Sequence, residues 1–160
     1  MADIFISFIH EEEEVAKAVS DYLQALVPDA KVFLASDKWQ IYAGEDWLKK
    51  ICEALQNARI VILMLSKRSV ARPWVNFEAG AAWLGGKHVI PVCFKGLSKG
   101  KLPKPYSSLQ ALDLHDRSDQ RYLLRSVCHY LGVWMAKLEP PPHFEMAPIS
   151  SRRNVSRTNA

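Results

Sequence analysis

The sequence predicts an α/β fold, a five-stranded doubly wound parallel sheet of flavodoxin-like order, and three observations carry that reading. The run Ile60-Val-Ile-Leu-Met-Leu65 is apolar at every position, as a strand covered by helices on both faces must be. Along the whole chain, short β-prone runs alternate with segments of helical spacing. The connections are of the length that holds one helix, so successive parallel strands join by right-handed crossovers.

The first strand is Asp3-Ile-Phe-Ile-Ser-Phe8, and the helix after it is marked by Val15, Val19, Tyr22, Leu23 and Leu26 at helical spacing. Glu11 to Glu14 are neighbours that do not converge on one helix face, so they read as first-turn acids meeting the macrodipole rather than as a metal site. Pro28-Asp29 breaks this helix, Lys31 to Ala35 forms the second strand, and Ser36 to Gly44 is a polar loop carrying Trp39 and Tyr42. Glu45-Asp46 opens a second helix that buries Trp47, Ile51, Ala54, Leu55 and Ala58. The central strand Ile60 to Leu65 follows at once.

Pro73 and Gly85-Gly86 bracket the third helix, proline at a position that tolerates losing its N–H and glycine where left-handed backbone ends a helix. Its buried stripe is expected to be Trp74, Phe77, Ala81 and Leu84, with Glu78 on the same side, four residues after Trp74. An isolated carboxylate usually lies in solvent. Here Ala79, Gly80, Ala81 and Ala82 leave room for close approach, which points to a crevice lined by Glu78 and Trp74. His88 to Phe94 is a fourth strand in which Pro91 withholds a donor from the ladder. Leu109 to Leu114 is expected as a fifth, edge strand, and a last helix from about Ser118 to Ala136 is expected to bury Leu123, Val127, Tyr130, Leu131 and Trp134. Residues 1–137 form one domain, and 138–160, with Pro140-Pro-Pro142 and a Ser/Arg/Asn run, read as a disordered tail or linker dispensable for folding.

Composition excludes several classes. No apolar run approaches the ~20 residues that span a bilayer, and the N-terminus has neither the basic flank nor the cleavage site of a signal peptide, so a cytoplasmic protein is expected, with no membrane partner. Cys52, Cys93 and Cys128 are odd in number and follow no C-x-x-C spacing, which fits reduced thiols and no metal. The net charge of +4 owes three units to Arg152, Arg153 and Arg157 in the tail, so the folded body lacks the basic face that nucleic acid requires. No G-x-G-x-x-G follows the first strand, and Gly85-Gly86-Lys87 lacks the rest of a phosphate loop. Phe8 and Ser66 stand where a phospho-receiver domain needs acids.

What remains is the rim at the carboxyl ends of the strands, where doubly wound sheets bind ligands. There the residues resemble the Toll/interleukin-1 receptor homology (TIR) domain, in particular its bacterial NAD-cleaving branch. Asp3 to Phe8 is similar to that family's first-strand box, and Val32-Phe33-Leu34 with the loop to Gly44 to its second strand and BB loop. Ile60 to Ser66 is similar to its third strand, Trp74-Val-Asn-Phe-Glu78 to its W-x-x-x-E pattern, and Val89-Ile-Pro-Val92 to the strand that follows, proline included. The likeness covers about residues 2–136.

The resemblance implies cleavage of NAD⁺ between nicotinamide and ribose, with ADP-ribose or a cyclic ADP-ribose isomer as product and bacterial antiviral signalling as the setting. It implies Glu78 as catalytic residue, supported by Trp74, with Phe8, Ile9, His10, Asp37, Trp39 and Ser66 as substrate-binding residues. NAD⁺ is then a substrate, and no cofactor is expected. The implied partners are further copies of the chain through TIR–TIR contacts, and an effector or sensor protein or domain. Two other readings stand beside it: a non-enzymatic adaptor that only binds TIR domains, and an enzyme like the nucleoside deoxyribosyltransferases, which also use a glutamate at an anomeric carbon.

Overall fold

The computed structural model describes residues 3–36 and 46–134. The loop holding Asp37, Trp39 and Tyr42, and the expected tail, lie outside the described residues. The elements are β1 (Ile4–Phe8), a 3₁₀ turn His10–Glu12, α1 (Glu13–Leu26), β2 (Val32–Ser36), α2 (Trp47–Asn57), β3 (Ile60–Leu65), α3 (Pro73–Leu84), β4 (His88–Cys93), β5 (Leu112–Asp113) and α4 (Arg117–Leu131). The five strands are parallel in the order β2-β1-β3-β4-β5, the flavodoxin-like order that the sequence predicts.

Register fixes which side chains face which layer, because successive residues of a strand point to opposite faces. Ile4 stands opposite Val32 on one side and Ile60 on the other. Ile4, Ile6, Phe8, Ile60, Ile62 and Met64 then pack with Ala16, Val19 and Leu23 of α1 and Leu123, Leu124 and Val127 of α4. Phe5, Val61, Leu63 and Leu65 point the other way, into a core shared with Ile51 and Leu55 of α2 and Val75, Ala79 and Ala82 of α3. All six residues of β3 are buried, as its unbroken apolar run requires. Pro91 pairs with Leu63 of β3, and β5 engages β4 only at Val92 and Cys93, so no fifth-strand residue stands opposite the proline.

Local chemistry sets the helix ends. Asp46 accepts a hydrogen bond from the Lys49 N–H at 3.0 Å to cap α2, and Asp116 does the same for Asp119 in α4 at 2.9 Å. In α3, Gly86 adopts φ +67° and the Lys87 N–H reaches the Ala82 carbonyl at 3.0 Å, the paired closure of a left-handed helix end. α4 closes the same way at Gly132, with φ +73° and the Val133 N–H on the Cys128 carbonyl.

That closure corrects the expected run to Ala136: the helix stops at Leu131, and Trp134 is 79% exposed rather than buried. The fifth strand is also shorter than Leu109 to Leu114, because a 3₁₀ turn at Tyr106–Ser108 occupies the approach and only Leu112 and Asp113 pair. The face of α3 is corrected too. Phe77 and Leu84 are 53% and 94% exposed, and the buried positions are Val75, Glu78, Ala79 and Ala82, themselves at helical spacing. Large apolar residues surround this helix, so their spacing alone did not fix which side faces the sheet. Small side chains face inward because α3 packs closely over β1, β3 and β4.

Candidate functional site

Glu78 is fully buried, on the face of α3 that meets the sheet near the carboxyl ends of the strands. The Ser7 hydroxyl donates a hydrogen bond to Glu78 Oε2. Ser7 is also fully buried, and strand alternation explains the meeting: two residues after Phe5, it points into the α2/α3 layer, where α3 offers its carboxylate. The sequence reading did not make this pairing, although Ser7 is the one polar side chain in an otherwise apolar strand.

An aromatic row lines the same end of α3. The Trp47 and Trp74 rings lie 4.9 Å apart, and Trp74 and Phe77 stack at 5.4 Å. The ring N–H of Trp74 is buried with no hydrogen-bond partner among the described residues. Ile9 packs in the α2/α3 core with Trp74, Val75 and Ala79. Phe8, by contrast, is buried in the α1/α4 core, so at the rim it presents backbone rather than its ring. His10 is exposed, its Nδ1 3.7 Å from Glu13. Asp37 and Trp39 lie outside the described residues.

Ser66 is buried at the end of β3, in a tight turn. Its Oγ accepts from the backbone N–H groups of Arg68 and Ser69 at 3.1 and 3.0 Å, while Ser69 Oγ accepts from the Ser66 N–H at 2.7 Å and donates to the Met64 carbonyl at 2.9 Å. Glu12 is buried as well, at 4% exposure, and its Oε2 has no hydrogen-bond partner among the described residues. Burial pushes its carboxyl above the ordinary value, opposed by the charges of Lys95 and Arg68. Glu12 is a second buried acid that the reading of Glu11 to Glu14 as first-turn acids meeting the macrodipole did not anticipate. Beside it, Arg72 just before α3 pairs with Glu11 at 2.8 Å, tying the start of α3 to the segment after β1. Among the described residues, no cluster of His, Cys, Asp and Glu suits a metal ion.

A cavity of about 290 Å³ lies on another side of α3, lined by Leu63, Ala79, Gly80, Trp83, Val89 and Tyr106 among others. Its walls are mostly apolar and do not include Glu78.

The profile of the TIR domain family matches residues 4–126, which takes in every element from β1 to most of α4. The chain belongs to that family. No curated protein is similar enough in sequence to stand as a relative of this TIR domain. Among solved structures it is similar to the TIR domain of the Toll-related receptor TRR-2 from Hydra magnipapillata, at a TM-score of 0.61 and 15% identity, over 79% of this chain and 98% of that one. It is also similar to a metazoan TIR-STING receptor from C. gigas, at 0.58 and 20% identity over 78% of this chain, spanning 39% of the receptor's length. At these identities the likeness establishes the shared fold. No described helix is long and apolar enough to cross a membrane.

Proposed function

We propose that this TIR domain is an NAD⁺ nucleosidase that cleaves the bond between nicotinamide and ribose, with Glu78 as its catalytic residue. The observation that carries the reading is the wholly buried Glu78 carboxylate, held by the Ser7 hydroxyl at the ligand-binding end of a doubly wound sheet. In the reaction the C1′–N bond breaks, its electron pair leaves with nicotinamide, and the ribose gains oxocarbenium character. Nicotinamide departs neutral, so no acid is needed to protonate it. One fixed carboxylate beside the ribose suffices to stabilise the positive charge, and in a site that excludes water it acts more strongly than in solution. Water then adds at C1′ and loses a proton to give ADP-ribose, or a nucleophilic atom of the adenine ring closes a cyclic isomer. Trp74 would wall the reacting end, Ser7 would hold Glu78 in one rotamer, and Ile9, Ser66 and the rim backbone at Phe8 and His10 would border the ribose. Asp37 and Trp39 would contact substrate from the loop after β2.

The catalytic form on this reading is a homo-oligomer built through TIR–TIR contacts, and its setting is bacterial antiviral signalling inside the cell. The exposed Phe77 and Leu84 on α3 favour association, and would also serve the second reading, a non-enzymatic adaptor. Chromatographic detection of nicotinamide released from NAD⁺ by wild type and by Glu78→Gln separates the two. Turnover lost in a folded variant supports the enzyme. A folded variant as active as wild type removes Glu78 from the chemistry, and a wild type inactive at every concentration leaves the adaptor. Base exchange on deoxynucleosides tests the deoxyribosyltransferase-like alternative in the same samples.

A further inference from the structure

The cavity beside α3 takes no part in the mechanism above, and its lining specifies what it can hold. Leu63 and Ala79 are buried at its base, while Gly80 and Trp83 are exposed where it opens to solvent. A further wall is Tyr106, from the 3₁₀ turn that precedes β5. Glycine weakens a helix interior relative to alanine, and no crowding demands one here, because a Cβ at Gly80 would meet no atom within 4 Å. The missing side chain leaves the mouth wide. A cavity of about 150 Å³ with apolar walls accommodates benzene. One of about 290 Å³ therefore has room for two fused rings, and the aromatic residues Trp83 and Tyr106 favour a planar molecule that stacks.

One polar pair, Asn76 and Tyr106, also lines the cavity and gives it a direction. Both amide hydrogens of Asn76 are committed, to the Val70 carbonyl at 3.4 Å and the Arg72 carbonyl at 3.1 Å, so its Oδ1 is the atom that meets Tyr106. The Tyr106 hydroxyl donates to that oxygen. Tyr106 is 3% exposed, and burial raises its pKa from the ordinary 10.0, so the proton stays in place. Having given its only hydrogen, the phenol oxygen can offer a ligand nothing but an acceptor. We infer that this cavity is a binding site for a planar bicyclic aromatic molecule, of the size of indole, whose single N–H or O–H donor is read by the Tyr106 oxygen. Glu78 does not line it, so binding there stands apart from the nucleosidase reading.

Indole and its hydrocarbon counterpart indene test this on the full chain. Isothermal titration should give saturable indole binding with a dissociation constant on the order of 0.1–1 mM, as suits about nine non-hydrogen atoms. Indene should bind roughly 3- to 10-fold more weakly, the effect of one hydrogen bond. Tyr106→Phe should bring indole down to the level of indene and leave indene unchanged. Gly80→Leu, which puts a side chain in the mouth, should weaken both by about 10-fold or more. Methyl resonances of Leu63 and Val89 should shift when indole is added to wild type and stay in place in Gly80→Leu. No saturable binding to wild type, equal affinity for indole and indene, or methyl shifts confined to residues away from α3 and β4 would overturn the assignment. Should Gly80→Leu not fold, the Tyr106→Phe comparison and the wild-type methyl shifts decide it alone.

Discussion

The Ser7 hydroxyl donates to the Glu78 carboxylate across 71 positions of sequence, joining the first strand to the third helix through two fully buried side chains. A hydrogen bond to a charged group contributes about 1.5–3 kcal/mol, and removing one partner of a buried pair leaves the other unsatisfied. Ser7→Ala should therefore lower stability by about that amount in denaturant melts. It should also reduce nicotinamide release without abolishing it, because Glu78 remains but is no longer held. A Ser7→Ala protein as stable as wild type would mean that the bond is absent in solution.

Glu78→Gln keeps the shape of the side chain and removes its charge. Loss of a preorganised stabiliser of this kind costs on the order of 10² to 10³ in rate. Circular dichroism should find the variant folded, while its nicotinamide release drops by at least that factor.

The corrected face of α3 gives a test by packing. Leu84 is 94% exposed, so Leu84→Ser should shift stability by no more than about 0.5 kcal/mol. Ala82 is fully buried under the sheet, and Ala82→Leu should cost about 1–3 kcal/mol by overfilling that space. Equal effects at both positions would contradict the observed rotation of the helix.

The three thiols should differ in reactivity. Burial, reinforced by the charge of Asp113, pushes Cys93 up to about 11, and burial also raises Cys128, whereas Cys52 is only half-buried. Because the thiolate is the reactive form, iodoacetamide at pH 8 should label Cys52 first in the native protein, with Cys93 and Cys128 following only on unfolding. Peptide mapping reads this directly.

If association completes the site, specific activity should rise with protein concentration and fall in Trp39→Ala. A value that stays flat on dilution, from a protein monomeric by light scattering, would rule that out.

Much of the fold was legible because its signals are local. The unbroken run Ile60 to Leu65 marked the central strand, and Pro73 and Gly86 marked the ends of α3. Glu78 stood out through the small residues beside it. The orientation of α3 was harder to read, because Trp74, Phe77, Trp83 and Leu84 leave no clean polar side, and close packing selected alanines over larger apolar groups for burial. The Ser7–Glu78 contact depends on register between a strand and a helix far apart in the chain, and no local pattern encodes that. Glu12 resembled its three acidic neighbours in sequence and differs from them in being buried at the end of a 3₁₀ turn, which no local pattern marked.

The strand order has one consequence for how the protein comes into being. β1 precedes β2 and β3 in the chain, yet it lies between them, so its ladder is incomplete until residue 65 has been added. Through that interval the run Ile4 to Ile9 emerges as bare apolar chain with an open edge, the kind of surface on which nascent proteins aggregate or recruit chaperones. The carboxylate of α3 arrives later still and becomes enclosed only once the strands beneath it have closed, so a partly made chain carries no assembled site.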